Sequence, residues 1–134
     1  MTEDKTLGWA LFALRIGLAI LFLVWALDKL VNVDHAKAVF QGFYGQNAET
    51  MSNTIPYALG AVQLLLVLAF AAGKLKTITY GALLLMHLAT TIVSLKMHLD
   101  PFGNPGILFW ANWPILGALI ALFLLRDRDT FLSA

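Results

Sequence analysis

Four runs of apolar residues, at 7–27, 55–72, 78–95 and 107–125, are separated by short polar stretches and one longer polar connection. Each run is long enough for a helix to cross the hydrocarbon core of a bilayer, about 30 Å, which takes roughly 20 residues. Only helices and closed barrels satisfy their backbone hydrogen bonds in lipid, and the continuous runs lack the apolar/polar alternation of barrel strands. The pattern therefore predicts an all-α fold, a four-transmembrane-helix bundle that makes 1–134 a single integral membrane domain. The first run has no basic leader and no small-residue cleavage site, so it reads as a retained helix.

The connections refine this picture. Within 28–54, Ala36, Val39, Phe40 and Phe43 recur at i, i+3, i+4 and i+7 with His35, Lys37 and Gln41 between them. That spacing predicts a short amphipathic interfacial helix between helices one and two, placed to cap the bundle. Gly73 ends the second run, and the turn of about four residues that follows forces an antiparallel hairpin. The segment "DPFGNPG" reads as a turn-rich loop. Trp9, Trp25, Tyr57, Trp110 and Trp113 fall near helix ends, where amphipathic rings anchor at the head groups. Pro114 marks a start or kink of the fourth helix. Gly17, Gly60, Gly81 and Gly117, one per helix, are expected at close backbone approaches.

Composition agrees with the pattern: 134 residues that are 60% hydrophobic and 13% charged, against about a quarter charged in soluble domains. Net charge is +1 and the nine Lys and Arg are scattered, so no basic stripe offers itself to phosphates and nucleic acid is not an expected partner. The absence of Cys excludes thiolate nucleophiles, disulfide exchange and any cysteine-ligated cofactor in this chain. A redox role would need a bound cofactor or a partner protein. Lys5, Lys74, Lys76, Arg126 and Arg128 lie on one side of the bundle, and Lys29, Lys37 and Lys96 on the other. The excess predicts both termini in the cytoplasm, with the plasma (inner) membrane of a bacterium as the expected location.

Ionisable residues inside a bilayer are costly, so each is a functional candidate. Counted at about 1.5 Å per residue from the cytoplasmic side, Arg15 lies about 12 Å deep, Gln63 and His87 about 13 to 14 Å, and Asn112 about 20 Å. Thr90 and Thr91 are within a turn of His87. On one reading Arg15 snorkels to the interface, and Gln63 and His87 are interhelical glue. On the other, the three line a head-group pocket: Arg15 holds an anion or polarises a carbonyl, Gln63 orients it with Thr90 and Thr91 adding hydroxyls, and His87 transfers a proton as the catalytic residue. A quinone ring with two carbonyls suits such a pocket. No acidic residue lies in any run, so Arg15 is expected to find its partner in a carbonyl, an amide, water, lipid phosphate, a ligand, or a carboxylate from another subunit. At the outer rim Asp28, Asp34, His35, His98 and Asp100 are metal-ligating types without tight ligand spacing, and no metal site is expected there. His87 and His98 are about 16 Å apart along their helix and cannot share one haem iron.

The stretches "LRIGLAILFLVWALDKL" and "LGAVQLLLVLAFAAGKLK" resemble the first two helices of the DoxX-like family of small four-helix membrane proteins. Arg15, Gly17, Lys29 and Leu30 match its first-helix pattern and Gly73 the end of its second helix; Gln63 stands where many members have Glu. The resemblance implies a membrane subunit of a quinone-linked oxidoreductase system, such as thiosulfate:quinone oxidoreductase, assembled with another protein subunit or as a homo-oligomer. A non-catalytic anchor or assembly subunit is the alternative, and a small-solute carrier acting as an oligomer ranks third.

Overall fold

The computed structural model describes residues 2–44, 52–103 and 106–133, and these are helical, with no strand among them. Helix α1, Glu3–Val31, is the longest. Thr2 caps it, its hydroxyl oxygen accepting the Lys5 N–H at 3.3 Å, and Glu3 and Asp4 meet the positive end of the helix dipole. After Asn32 the chain enters α2, Val33–Tyr44, where the amphipathic interfacial helix was expected. Ala36 of α2 is buried and Val39 is at the edge of exposure; the side chains of Phe40 and Phe43 lie outside the described residues.

Helices α3, Thr54–Ala71, and α4, Lys76–Val93, form the antiparallel hairpin. Its turn is a Schellman closure: Lys74 N–H donates to the Ala69 carbonyl at 2.9 Å and Gly73 N–H to Phe70 at 3.0 Å. Gly73 has φ 70, which a side chain would resist. Leu75 accepts a similar strain at φ 50 as the residue preceding α4.

The fourth apolar run is not one helix. After α5, Leu95–His98, the chain forms α6, Gly106–Phe109, turns at Trp110 and Ala111, and resumes as α7, Asn112–Leu124. Pro114 explains the break. It has no N–H for the Trp110 carbonyl and disfavours helical backbone at Trp113, so Trp110 O instead takes the Trp113 N–H at 3.3 Å in a tighter turn. A short 3-10 turn, Arg126–Arg128, follows α7.

α1, α3 and α4 are long and apolar enough to cross a membrane, whereas α7 is apolar but has 13 residues. α1 packs on α3, α3 on α4, α4 on α7 and α7 on α1, closing a ring, with α2 laid against α1 and α3. The outer surface is largely apolar, and the interior combines an apolar core that includes Phe70, Leu83 and Leu122 with buried polar groups. Leu65, Leu85 and Val62 are exposed, while Arg15, Tyr80, His87, Asn112 and Asp129 are buried. Such a surface suits lipid rather than water, and marks a membrane protein.

Only some of the helix glycines mark close approach. A Cβ on Gly60 would come within 2.9 Å of the Lys29 Cβ and 3.1 Å of Leu30, so this glycine lets α3 close on α1. A Cβ on Gly81 would lie 3.3 Å from the Phe123 ring. Among the described residues nothing lies within 4 Å of a Cβ at Gly17 or Gly117, and both are exposed, contrary to the expectation for all four.

Candidate functional site

The buried polar groups fall into two layers. In the first, Arg15 is fully buried and its Nη1 donates to Asp129 Oδ1 at 2.6 Å, an ion pair with no exposed surface on either side chain. Nη2 donates to the carbonyls of Phe131 at 2.5 Å and Leu132 at 3.1 Å. The Tyr80 hydroxyl donates to the other Asp129 oxygen at 2.5 Å, and Lys76 Nζ donates to the Asp129 carbonyl. The segment after α7 thus folds back into the end of the bundle. Phe131 packs edge-on to Trp9 at 5.3 Å and occupies the space where a Gly8 side chain would stand. Ser133 donates to the Gly73 carbonyl at 3.4 Å. This corrects the expectation that Arg15 lacks a carboxylate partner within its own chain: Asp129 supplies one from beyond the fourth apolar run.

The second layer lies one heptad along. On α1 the step from Arg15 to Phe22, and on α4 from Tyr80 to His87, is seven residues, or about 10 Å. There a cavity of about 380 Å³ opens among α1, α2, α3 and α4. Its walls are mostly apolar, with Phe22, Trp25, Val67, Leu83, Met86 and Phe109, and its polar lining includes Gln63, His87 and Thr90. Asp28, Lys29 and His35 line it at the rim, where His35 Nδ1 and Asp28 Oδ2 are 2.6 Å apart, and Ala36 and Val39 bring α2 against it.

Gln63, His87 and Thr90 therefore share one cavity, whereas Arg15 and Thr91 do not line it. Thr91 is buried, its hydroxyl donating to the His87 carbonyl at 2.9 Å. The expected common level fails for Arg15, which shares the Asp129 carboxylate with Tyr80, one heptad before His87 on α4.

His87 is held on three sides. Its Nε2 donates to the Asn112 carbonyl at 3.0 Å, its ring stacks on Trp25 at 6.2 Å and 13°, and Phe22 meets it edge-on at 6.0 Å. Its Nδ1 is buried with no hydrogen-bond partner among the described residues. Asn112 is fixed in turn, its Nδ2 donating to Ser94 Oγ at 3.2 Å. His98, the other helix-end histidine, faces backbone oxygens with both ring nitrogens, Ser94 at 3.1 Å and Phe109 at 3.0 Å. Among the described residues no three metal-ligating side chains come together.

Trp25 and Asn112 join the site from outside the predicted set, as Asp129 and Tyr80 join the charged layer. Trp25 gave the signal of an interface anchor only, and Asp129 lies in a charged stretch that reads as a solvated tail. Compared with family models, characterised proteins and solved structures, the chain matches none.

Proposed function

We propose that the chain is a four-span, DoxX-like membrane protein whose cavity holds the head group of a quinone, and that it serves as the membrane subunit of a quinone-linked oxidoreductase. The observation that carries this reading is the cavity beside His87. It has the volume of a small-molecule site, apolar and aromatic walls, and a few polar groups at one level. A quinone ring needs a flat apolar slot for its faces and hydrogen-bonding groups at its two oxygens. Phe22, Trp25 and Phe109 supply the first, and Gln63, Thr90 and His87 the second. The buried imidazole is a group able to take or give a proton at a head-group oxygen. Arg15 is left out of the site, since Asp129 already neutralises it.

When bound, a quinone carries two electrons and two protons. The chain has no cysteine, so a partner subunit is the electron donor or acceptor in this reading. Both termini in the cytoplasm of a bacterial cell accord with the lysine and arginine excess at the end where Lys74, Lys76 and the segment after α7 meet. α6 and α7 together make the fourth crossing. The break between them does not favour a carrier, because the carbonyls at its two sides, Phe109 and Asn112, are taken by His98 and His87.

Organic extraction of the protein, purified in mild detergent from native membranes, tests the reading. A quinone is expected at near-equimolar amount in the wild type and depleted in Gln63→Leu and in Ala36→Trp, which fills the cavity. Equal quinone content in all three would assign it to bulk lipid and remove the proposal.

A further inference from the structure

We infer that Lys29 is a specificity-determining residue of the cavity. Its ammonium holds one head-group oxygen, so the site favours a quinone that carries negative charge, such as an acidic hydroxyquinone, over a neutral one. The inference rests on the quinone reading of the cavity and adds the charge class of the head group.

Lys29 lies on the inner face of α1, one heptad beyond Phe22 and two beyond Arg15, and lines the cavity with Phe22. Its stem sits at the seam of α1 and α3, since a Cβ on Gly60 would stand 2.9 Å from the Lys29 Cβ. Nζ donates to the Trp25 carbonyl at 3.5 Å, one turn deeper on the same helix. The ammonium is thus turned back toward the bilayer interior, against the usual reach of a rim lysine for the head groups.

The register of α3 brings a second donor to the same level. α3 runs antiparallel to α1, from Gly60 beside Lys29 to Gly73, which meets the segment bound by Arg15. Gln63 is one turn deeper than Gly60 on α3, as Trp25 is one turn deeper than Lys29 on α1. The Lys29 ammonium and the Gln63 amide therefore line the cavity at one depth, and both have N–H to donate.

The neighbouring carboxylate does not cancel this charge. Asp28 Oδ2 is 2.6 Å from His35 Nδ1, and Oδ1 accepts from Asn32 Nδ2 at 3.4 Å, so both oxygens are engaged away from Lys29. Among the described residues the ion pairs within 4 Å are Arg15 with Asp129 and His35 with Asp28, and Lys29 is in neither. A cation beside mostly apolar walls is costly until an anionic oxygen arrives. That oxygen gains a full attraction between charges, which a neutral carbonyl oxygen lacks.

The test is calorimetric titration of the full chain in mild detergent at neutral pH with three probes. These are hydroxynaphthoquinone, whose hydroxyl is ionised there; its methyl ether, which is neutral; and naphthoate, an anion of the same ring size without quinone oxygens. Hydroxynaphthoquinone is expected to bind about tenfold tighter than the ether, the scale of one hydrogen bond to a charged group. Lys29→Met keeps the stem against Gly60 and removes the ammonium; in it the two affinities are expected to converge. Lys29→Arg restores a cation and is expected to restore the preference, a rescue that a merely packed lysine stem would not give. Equal binding of the anion and the ether to the wild type, or a preference that survives in Lys29→Met, would overturn the role of Lys29 while leaving the cavity a quinone site. Naphthoate binding as tightly as hydroxynaphthoquinone, with no binding of the ether, would overturn the quinone reading and keep Lys29 as the ligand of an organic acid. Binding of none of the three would overturn both.

Discussion

Arg15 and Asp129 are 114 residues apart in sequence and 2.6 Å apart in space, both without exposed surface. A charge buried this way depends on its partner. Attraction between buried ions roughly offsets their desolvation, but removing one leaves the other uncompensated at a cost of about 3–5 kcal/mol. Asp129→Ala is expected to lose stability on that scale in an unfolding titration from mild detergent into denaturing detergent. The double variant Arg15→Met with Asp129→Leu should lose less than Asp129→Ala alone. An Asp129→Ala midpoint equal to wild type would mean that lipid or water already satisfies the guanidinium.

Tyr80 tests the same layer without touching a charge. Its hydroxyl donates to the carboxylate oxygen that Arg15 leaves free, and Tyr80→Phe deletes only that donor. A hydrogen bond to a charged group contributes roughly 1.5–3 kcal/mol. In an Asp129→Ala background the same change should be nearly silent, since its acceptor is gone. Additive effects would show that Tyr80 acts through packing instead.

Two glycines give opposite expectations. Gly60→Val drives a branched side chain into Lys29 and Leu30 of α1, and overpacking of this kind costs about 1–3 kcal/mol. Gly17→Ala meets nothing within 4 Å and should stabilise α1 by about 0.5–1 kcal/mol through the helix preference of alanine. Thermal melts of the two variants read the difference directly. If Gly17→Ala destabilises as much as Gly60→Val, its exposed face is a contact surface for another chain.

His98 closes the break before α7. His98→Leu removes the ring nitrogen now 3.0 Å from the Phe109 carbonyl, and the loss of one such hydrogen bond costs about 0.5–1.5 kcal/mol. Amide hydrogen exchange should rise first over 106–112, the residues around the break, with little change in α1 and α3. Uniform acceleration across the chain would instead make His98 part of the global core.

The bundle was legible in the sequence because long apolar runs in lipid leave the backbone few choices. Helices α1, α3 and α4, the hairpin at Gly73 and the amphipathic α2 follow from period and turn residues. The break at Trp110 was visible only as Pro114, whose missing N–H permits either a start or a kink. For the polar groups, a common depth was readable for Gln63, His87 and Thr90 but not for Arg15, which lies one heptad away. His87, Gln63 and Thr90 fall around one cavity, whereas Arg15 faces a different neighbour. Asp129 lies beyond the hydrophobic runs, where a charged residue carries no sign of burial. Its clue was the apolar pair Phe131 and Leu132 just after the charges, which gives a polar tail a reason to turn back.

The distance in sequence between Arg15 and Asp129 also sets an order of events during synthesis. The first helix emerges from the ribosome and meets the membrane carrying a guanidinium whose carboxylate has yet to be translated. Until then the cation must remain in contact with water, phosphate head groups or the insertion machinery, which keeps α1 shallow. Arrival of Asp129 lets the helix settle to its final depth, so a ribosome stalled between α4 and α7 should hold α1 closer to the membrane surface than the finished chain does.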